Sequence, residues 1–161
     1  MTPLPPDTLN SVGVLTRREI EARLLVPLIA ALSAEFGEQA VLAVVRQTIL
    51  TLARQQGAAL AASLPVNDLQ HFAQAMQAWN TGDALEQVIL EQSDQRLSYD
   101  IHRCRYAEMY QRLGIPELGS LLSCNRDFAL IEGYNPDIRL TRTQTIMEGA
   151  PTCDFCYELA R

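Results

Sequence analysis

A chain of 161 residues, 48% hydrophobic and 20% charged, has the length of one domain and the composition of a globular one. Its net charge of −6 argues against nucleic acid, whose phosphates need a Lys/Arg surface, and against a polybasic membrane contact. No apolar run reaches the roughly 18 residues of a membrane span.

Residues 1–15 read as a flexible arm. Pro3, Pro5 and Pro6 block regular pairing, and Asp7 sits where a secretory leader would be apolar. A cytoplasmic location follows as an expectation, with the four cysteines as free thiols, ligands or a nucleophile rather than a disulfide frame. Thr16 and Glu19 have the spacing of a capping box. Ile20, Leu24, Leu25, Leu28, Ile29, Leu32 and Phe36 then recur at helical spacing, with a kink expected at Pro27 and a stop at Gly37. A second helix runs from Glu38 to about Leu64, apolar at Val41, Leu42, Val45, Ile49, Leu52 and Leu60 and ended by Pro65. The pair forms a helical hairpin. Asn67 or Asp68 caps a shorter helix through Trp79, on which His71 reads as a surface residue without an acidic neighbour.

After a break at Asn80–Asp83 the pattern changes to strands. Leu85–Glu91 and Leu97–His102 flank a four-residue turn. Leu97, Tyr99 and Ile101 share one face of the second strand. Ser98, Asp100, His102 and Cys104 share the other, which is the face expected to hold chemistry. A helix over Arg105–Leu113 follows, then one from Pro116 to Glu132 stopped by Gly133, a strand over Leu140–Met147 and a last strand over Thr152–Leu159. The whole predicts one α+β domain over residues 1–161: an N-terminal helical hairpin and short helices packed on a small antiparallel sheet in the C-terminal half.

All the cysteines lie in the last third of the chain, each near a carboxylate. Cys104 and Glu108 share a face at a helix start, where the macrodipole favours a thiolate and His102 could hold its proton. The plain alternative is a small buried apolar residue. Cys124 and Asp127 share another helix face. A buried Asp127 needs a cation, and an exposed one could pair with Arg126 or Arg139. Cys153 and Cys156 form a CxxC, but on a strand they point to opposite faces and cannot chelate one metal as neighbours.

Four blocks carry a resemblance: Arg103-Cys104-Arg105-Tyr106-Ala107-Glu108, Glu117-Leu118, Cys124-Asn125-Arg126-Asp127, and Thr145 to Phe155 with Glu148-Gly149-Ala150-Pro151-Thr152-Cys153-Asp154-Phe155 at its centre. With Arg18 to Ala22 and Glu35 to Gly37, the chain resembles the L-2-amino-thiazoline-4-carboxylic acid hydrolase family. That resemblance implies a hydrolase opening a cyclic amidine or related ring at a C–N or C–S bond, without cofactor or metal. It implies Cys104, Cys153, Cys124, Glu108 and Asp127 as catalytic residues, and His102, Tyr106, Arg142 and Asp154 as substrate-binding ones. Cys104 or Cys153 would be the nucleophile. The expected partner is a small-molecule substrate, with a homodimer plausible. A metal site of Cys104, Cys124, Cys153 and a carboxylate, or a non-catalytic small-ligand or interaction domain, are the alternatives.

Overall fold

The computed structural model describes residues 12–160. The expected arm therefore lies mostly outside the described residues. Its last part is already helical, because α1 spans Val14–Phe36 with Gly13 rather than Thr16 at its N-cap and no side-chain cap. Pro27 sits inside a helix that runs on to Gly37, whose φ of 87° only glycine adopts readily. The buried face of α1 is Arg18, Ala22 and Ile29. Ile20, Leu24, Leu28, Leu32 and Phe36 are exposed, so of the helical stripe read from the sequence only Leu25 and Ile29 face the core.

Helix α2 (Glu38–Ser63) buries Val41, Ile49, Ala53 and Gly57. Helix α3 (Leu69–Ala75) is capped by Asp68, which accepts from the His71 N–H and also meets His71 Nδ1 at 2.8 Å. His71 thus has an acidic partner three residues upstream, where the sequence reading had none. A 3-10 turn continues from Met76 to Asn80.

Strands β1 (Leu85–Gln92), β2 (Arg96–Cys104), β3 (Ile138–Thr141) and β4 (Cys153–Leu159) form one antiparallel sheet in the order β1-β2-β4-β3. The architecture is α+β, with the sheet in the C-terminal half. The expected strand to Met147 stops at Thr141, because Thr145 accepts from the Glu148 N–H and caps a 3-10 turn at Ile146–Glu148. Helix α4 (Arg105–Arg112) follows β2 directly. The expected single helix from Pro116 is three pieces: α5 (Pro116–Gly119), a π-helical turn at Ser120–Cys124, and α6 (Arg126–Tyr134).

Gly133 does not end α6. It lies inside it and meets α2. A Cβ on Gly57 would fall 2.0 Å from the Leu130 carbonyl oxygen, and one on Gly133 2.1 Å from that of Arg54. Backbone cannot yield as a side chain can. In an open helix Gly→Ala stabilises by roughly 1 kcal/mol. Here Gly57→Ala and Gly133→Ala should each destabilise by about 3 kcal/mol, read as a lower urea midpoint. A raised midpoint would show the two helices to be loosely seated.

Two apolar clusters fill the interior. One joins the inner sheet face (Leu97, Tyr99, Ile101, Tyr157) to α2, α3 and α6 through Ala53, Phe72, Leu130 and Tyr134. The other joins α1, α2 and α4 through Ala22, Ile29, Ile49, Met109 and Tyr110. Leu85, Cys104 and Ile146 pack against both, and the site lies at that junction.

Candidate functional site

Cys104 is the last residue of β2 and the N-cap of α4, with extended backbone at φ −129°. Cys153 opens β4 and pairs in register with Ile101, so it stands one strand over. Cys124 closes the π-helical turn, and Asp127 lies in the first turn of α6. A π-turn inserts a residue into the helical ladder and turns the following side chains, a feature common at functional sites. Arg142 enters from the segment after β3. All three thiols, Asp127, Arg142 and Tyr106 line one cavity of about 90 Å³, walled by Trp79, Tyr99, Ile101, Leu130 and Phe155. A water needs roughly 10–15 Å³ on this measure, so the space suits several waters or one small ring.

The polar centre of the cavity is an ion pair between the buried side chain of Arg142 and a half-buried Asp127. Arg142 Nη1 donates to Asp127 Oδ2 at 2.5 Å, and its Nη2 donates to the Cys124 carbonyl at 3.2 Å. The Arg142 guanidinium lies 5.1 Å from the ring centroids of both Phe128 and Phe155. Burial pushes the Asp127 carboxyl above its ordinary value, and Arg142 pulls against that. Burial works against the Arg142 charge, but Asp127 and Cys124 together outweigh it and keep the guanidinium protonated.

Burial raises the pKa of every cavity thiol. Cys104 is pushed up to about 11, against the pull of the Ala107 and Tyr106 N–H groups. Cys124 goes higher, through burial and then the Asp127 charge. Cys153 is raised by burial but opposed by the Ile146 N–H, which donates to its sulfur at 3.2 Å, and by Arg142. Burial therefore favours the thiol over the thiolate at all three positions. Cys153 is the one favoured by both a hydrogen bond and a neighbouring cation.

The other expected site residues stand elsewhere. Glu108 is exposed and receives Arg103 Nε at 2.6 Å, an ion pair that lowers its pKa. It belongs to a charged surface groove with Glu19, Arg105 and Arg112, not to the thiols. Helical spacing misplaces it because Cys104 is still a strand residue and does not share the α4 face. His102 is exposed. The cavity lies on the Tyr99–Ile101 face of β2, and the strand's alternation breaks near its end, so that Cys104 reaches that face. Asp154 accepts from Thr143 N at 2.9 Å, Thr143 Oγ1 at 2.6 Å and Gln144 N at 2.8 Å. It pins the segment after Arg142 and does not line the cavity. Asp127 pairs with Arg142, not with Arg126 or Arg139. Tyr106 lines the cavity and donates to the Trp79 carbonyl at 2.8 Å. Cys153 lines it and Cys156 does not, as expected of opposite strand faces. Among the described residues no three His, Cys, Asp or Glu side chains converge as a metal site.

Sequence reasoning passed over Arg18 and Trp79. Arg18 carries a signal in retrospect: it is in helical register with Ala22, Leu25 and Ile29, and a cation on an inner face needs a reason.

Residues 17–157 match the family described as L-2-amino-thiazoline-4-carboxylic acid hydrolase. The chain belongs to that family. No curated protein matches the sequence. Among solved structures, the phenol-responsive sensory domain of the transcription activator PoxR, in complex with phenol, is similar over 91% of this chain and 76% of its own, with 9% identity and a TM-score of 0.52. A trafficking protein particle complex subunit 3 from Naegleria fowleri, covalently bound to palmitic acid, is similar over 90% of this chain and 96% of its own, with 11% identity and a TM-score of 0.54. At such identities the likeness is one of fold. No described helix of this hydrolase-family chain is long and apolar enough to cross a membrane.

Proposed function

We propose that the protein is a hydrolase that opens a small cyclic amidine or related ring by thiol-assisted addition of water. One observation carries the reading: Cys104, Cys124, Cys153 and the Asp127–Arg142 pair, from four separate stretches of chain, all line a single small cavity. Family membership supports the reaction class. Cys153 is the nucleophile in this reading. Its thiol passes its proton to the ring amidine, and the sulfur adds to the central carbon of that amidinium, while Asp127 accepts an amidine N–H on Oδ1, the oxygen opposite the one bonded to Arg142. The ring bond to that carbon breaks, and the leaving heteroatom takes up the proton that the amidine received. Water then displaces Cys153, which regains its proton as a thiol, so one water is consumed per ring opened. Cys104 and Cys124 complete the wall. Arg142 favours the ionised form of Asp127 and orients it, and Glu108, His102 and Asp154 have no direct part.

The test is ring opening of 2-amino-thiazoline-4-carboxylate and simpler cyclic amidines by purified protein, with products identified by mass spectrometry. The product also tells which bond to the ring carbon breaks. Binding without turnover would favour a second reading, a small-ligand-binding domain. The raised thiol pKa values suit it, as do the two structural relatives, one in complex with phenol and one covalently bound to palmitic acid.

A further inference from the structure

The charge inside the cavity is opposite in sign to that of the chain. The protein carries −6 overall, yet among the described residues the charged side chains lining the cavity are Arg18, Arg126 and Arg142 against Asp127 alone. Arg142 is matched by Asp127. Arg18 reaches Glu21, one turn along α1, whose side chain is 36% exposed. Arg126 pairs with no carboxylate among the described residues. Its bond is to a neutral amide, Nη2 to Gln56 Oε1 at 3.1 Å.

Arg18 and Arg126 are only 6% and 7% exposed. A guanidinium removed from water is strongly disfavoured unless an anion replaces the lost hydration, and a second guanidinium nearby makes that worse. Burial and then the charge of Arg18 draw the pKa of Arg126 down to about 10, so it stays protonated at neutral pH and still needs an anion.

We propose that Arg126, flanked by Arg18, is the docking point for a carboxylate on the cavity ligand, and that it selects ring compounds carrying an acid group. The inference deepens the ring-hydrolase reading and rests on it for the ring. It assigns the acid to Arg126 rather than Arg142, whose guanidinium is already taken up by Asp127, the Cys124 carbonyl and two aromatic rings. A carboxylate matches the guanidinium fork with two parallel N–H···O bonds. Arg18 and Gln56 belong to the helical hairpin, and Cys153 belongs to the sheet. An acid held on the hairpin side presents the ring to the Cys153 side.

Trp79 is the only tryptophan and lines the cavity, so its fluorescence reports occupancy. The experiment titrates wild type, Arg126→Met and Arg126→Lys with three probes: 2-amino-thiazoline-4-carboxylate, 2-amino-thiazoline without the acid, and thiophene-2-carboxylate without the amidine. Wild type should bind the first about 10- to 100-fold more tightly than the second. Arg126→Met should lose that preference while keeping its affinity for 2-amino-thiazoline, and Arg126→Lys should keep part of it. Ligand-free Arg126→Met should melt at or above the wild-type temperature, because it removes an unneutralised buried charge. A merely structural arginine would lower it. Undiminished preference in Arg126→Met, or no binding of either carboxylate by wild type, overturns the proposal. Arg126-dependent binding of thiophene-2-carboxylate with no ring opening would leave the acid site standing and end the hydrolase reading. Ring opening indifferent to Arg126 would do the reverse.

Discussion

Cys153→Ser is expected to lower kcat/KM for ring opening about a thousandfold or more, with the protein still folded. A hydroxyl fits the same space but ionises far less readily than a thiol. Serine at 153 would keep the Ile146 contact and lose the nucleophile. Cys104→Ser and Cys124→Ser should cost much less, because neither sulfur combines an amide donor at hydrogen-bond distance with the pull of Arg142. Alkylation by iodoacetamide gives an independent reading. Each cavity thiol has its pKa raised above the ordinary value. The rate at each should therefore climb about tenfold per pH unit from neutrality through roughly pH 9 without levelling, as the thiolate fraction grows. Cys153 should react ahead of Cys104, and Cys104 ahead of Cys124, in peptide mass spectra. If Cys153→Ser retained activity within about tenfold of wild type while Cys104→Ser lost it, the nucleophile would be Cys104. Full activity in all three variants would exclude covalent catalysis.

The largest effect on stability should come from Asp127→Ala. The Arg142 side chain is only 6% exposed, and Asp127 is its sole carboxylate partner among the described residues. Removing one member of a buried pair strands the other, at a cost of about 3–5 kcal/mol. For a chain of this size that is roughly a 10 °C drop in Tm. The double variant Asp127→Leu/Arg142→Met should recover most of it, because two apolar side chains of similar volume carry no desolvation cost. Urea unfolding of the two single variants and the double one measures this. Losses below about 1 kcal/mol in both singles would mean that the pair is solvated rather than held out of water.

Much of the fold could be read locally. Gly37 between two apolar-periodic runs marks the hairpin, the polar stretch before Arg96 marks the β1–β2 turn, and alternation marks Cys153 and Cys156 as opposed. These signals act between residues close in the chain. Errors arose where a local pattern allows two faces. The stripe from Ile20 to Phe36 and the narrower one from Arg18 to Ile29 are both helical, and only packing against α2 and α4 selects the second. The Cys104–Glu108 spacing suits a shared helix face, but the junction of β2 and α4 falls between them.

The residues alone determined which chemical groups are present, which secondary structure each stretch prefers, and to which family the chain belongs. Those properties depend on neighbours within a few turns or on motifs kept in order. Tertiary structure decided what meets what. The strand order sets β4 beside β2, bringing Cys153 to the Cys104 side of the cavity, and the contact of Gly57 and Gly133 with facing backbone lets α6 approach α2 closely. It also decided the charge of the site. An arginine on α1 and another on α6 look like ordinary surface cations until packing removes their water, and a buried charge is governed by what surrounds it rather than by what adjoins it in the chain.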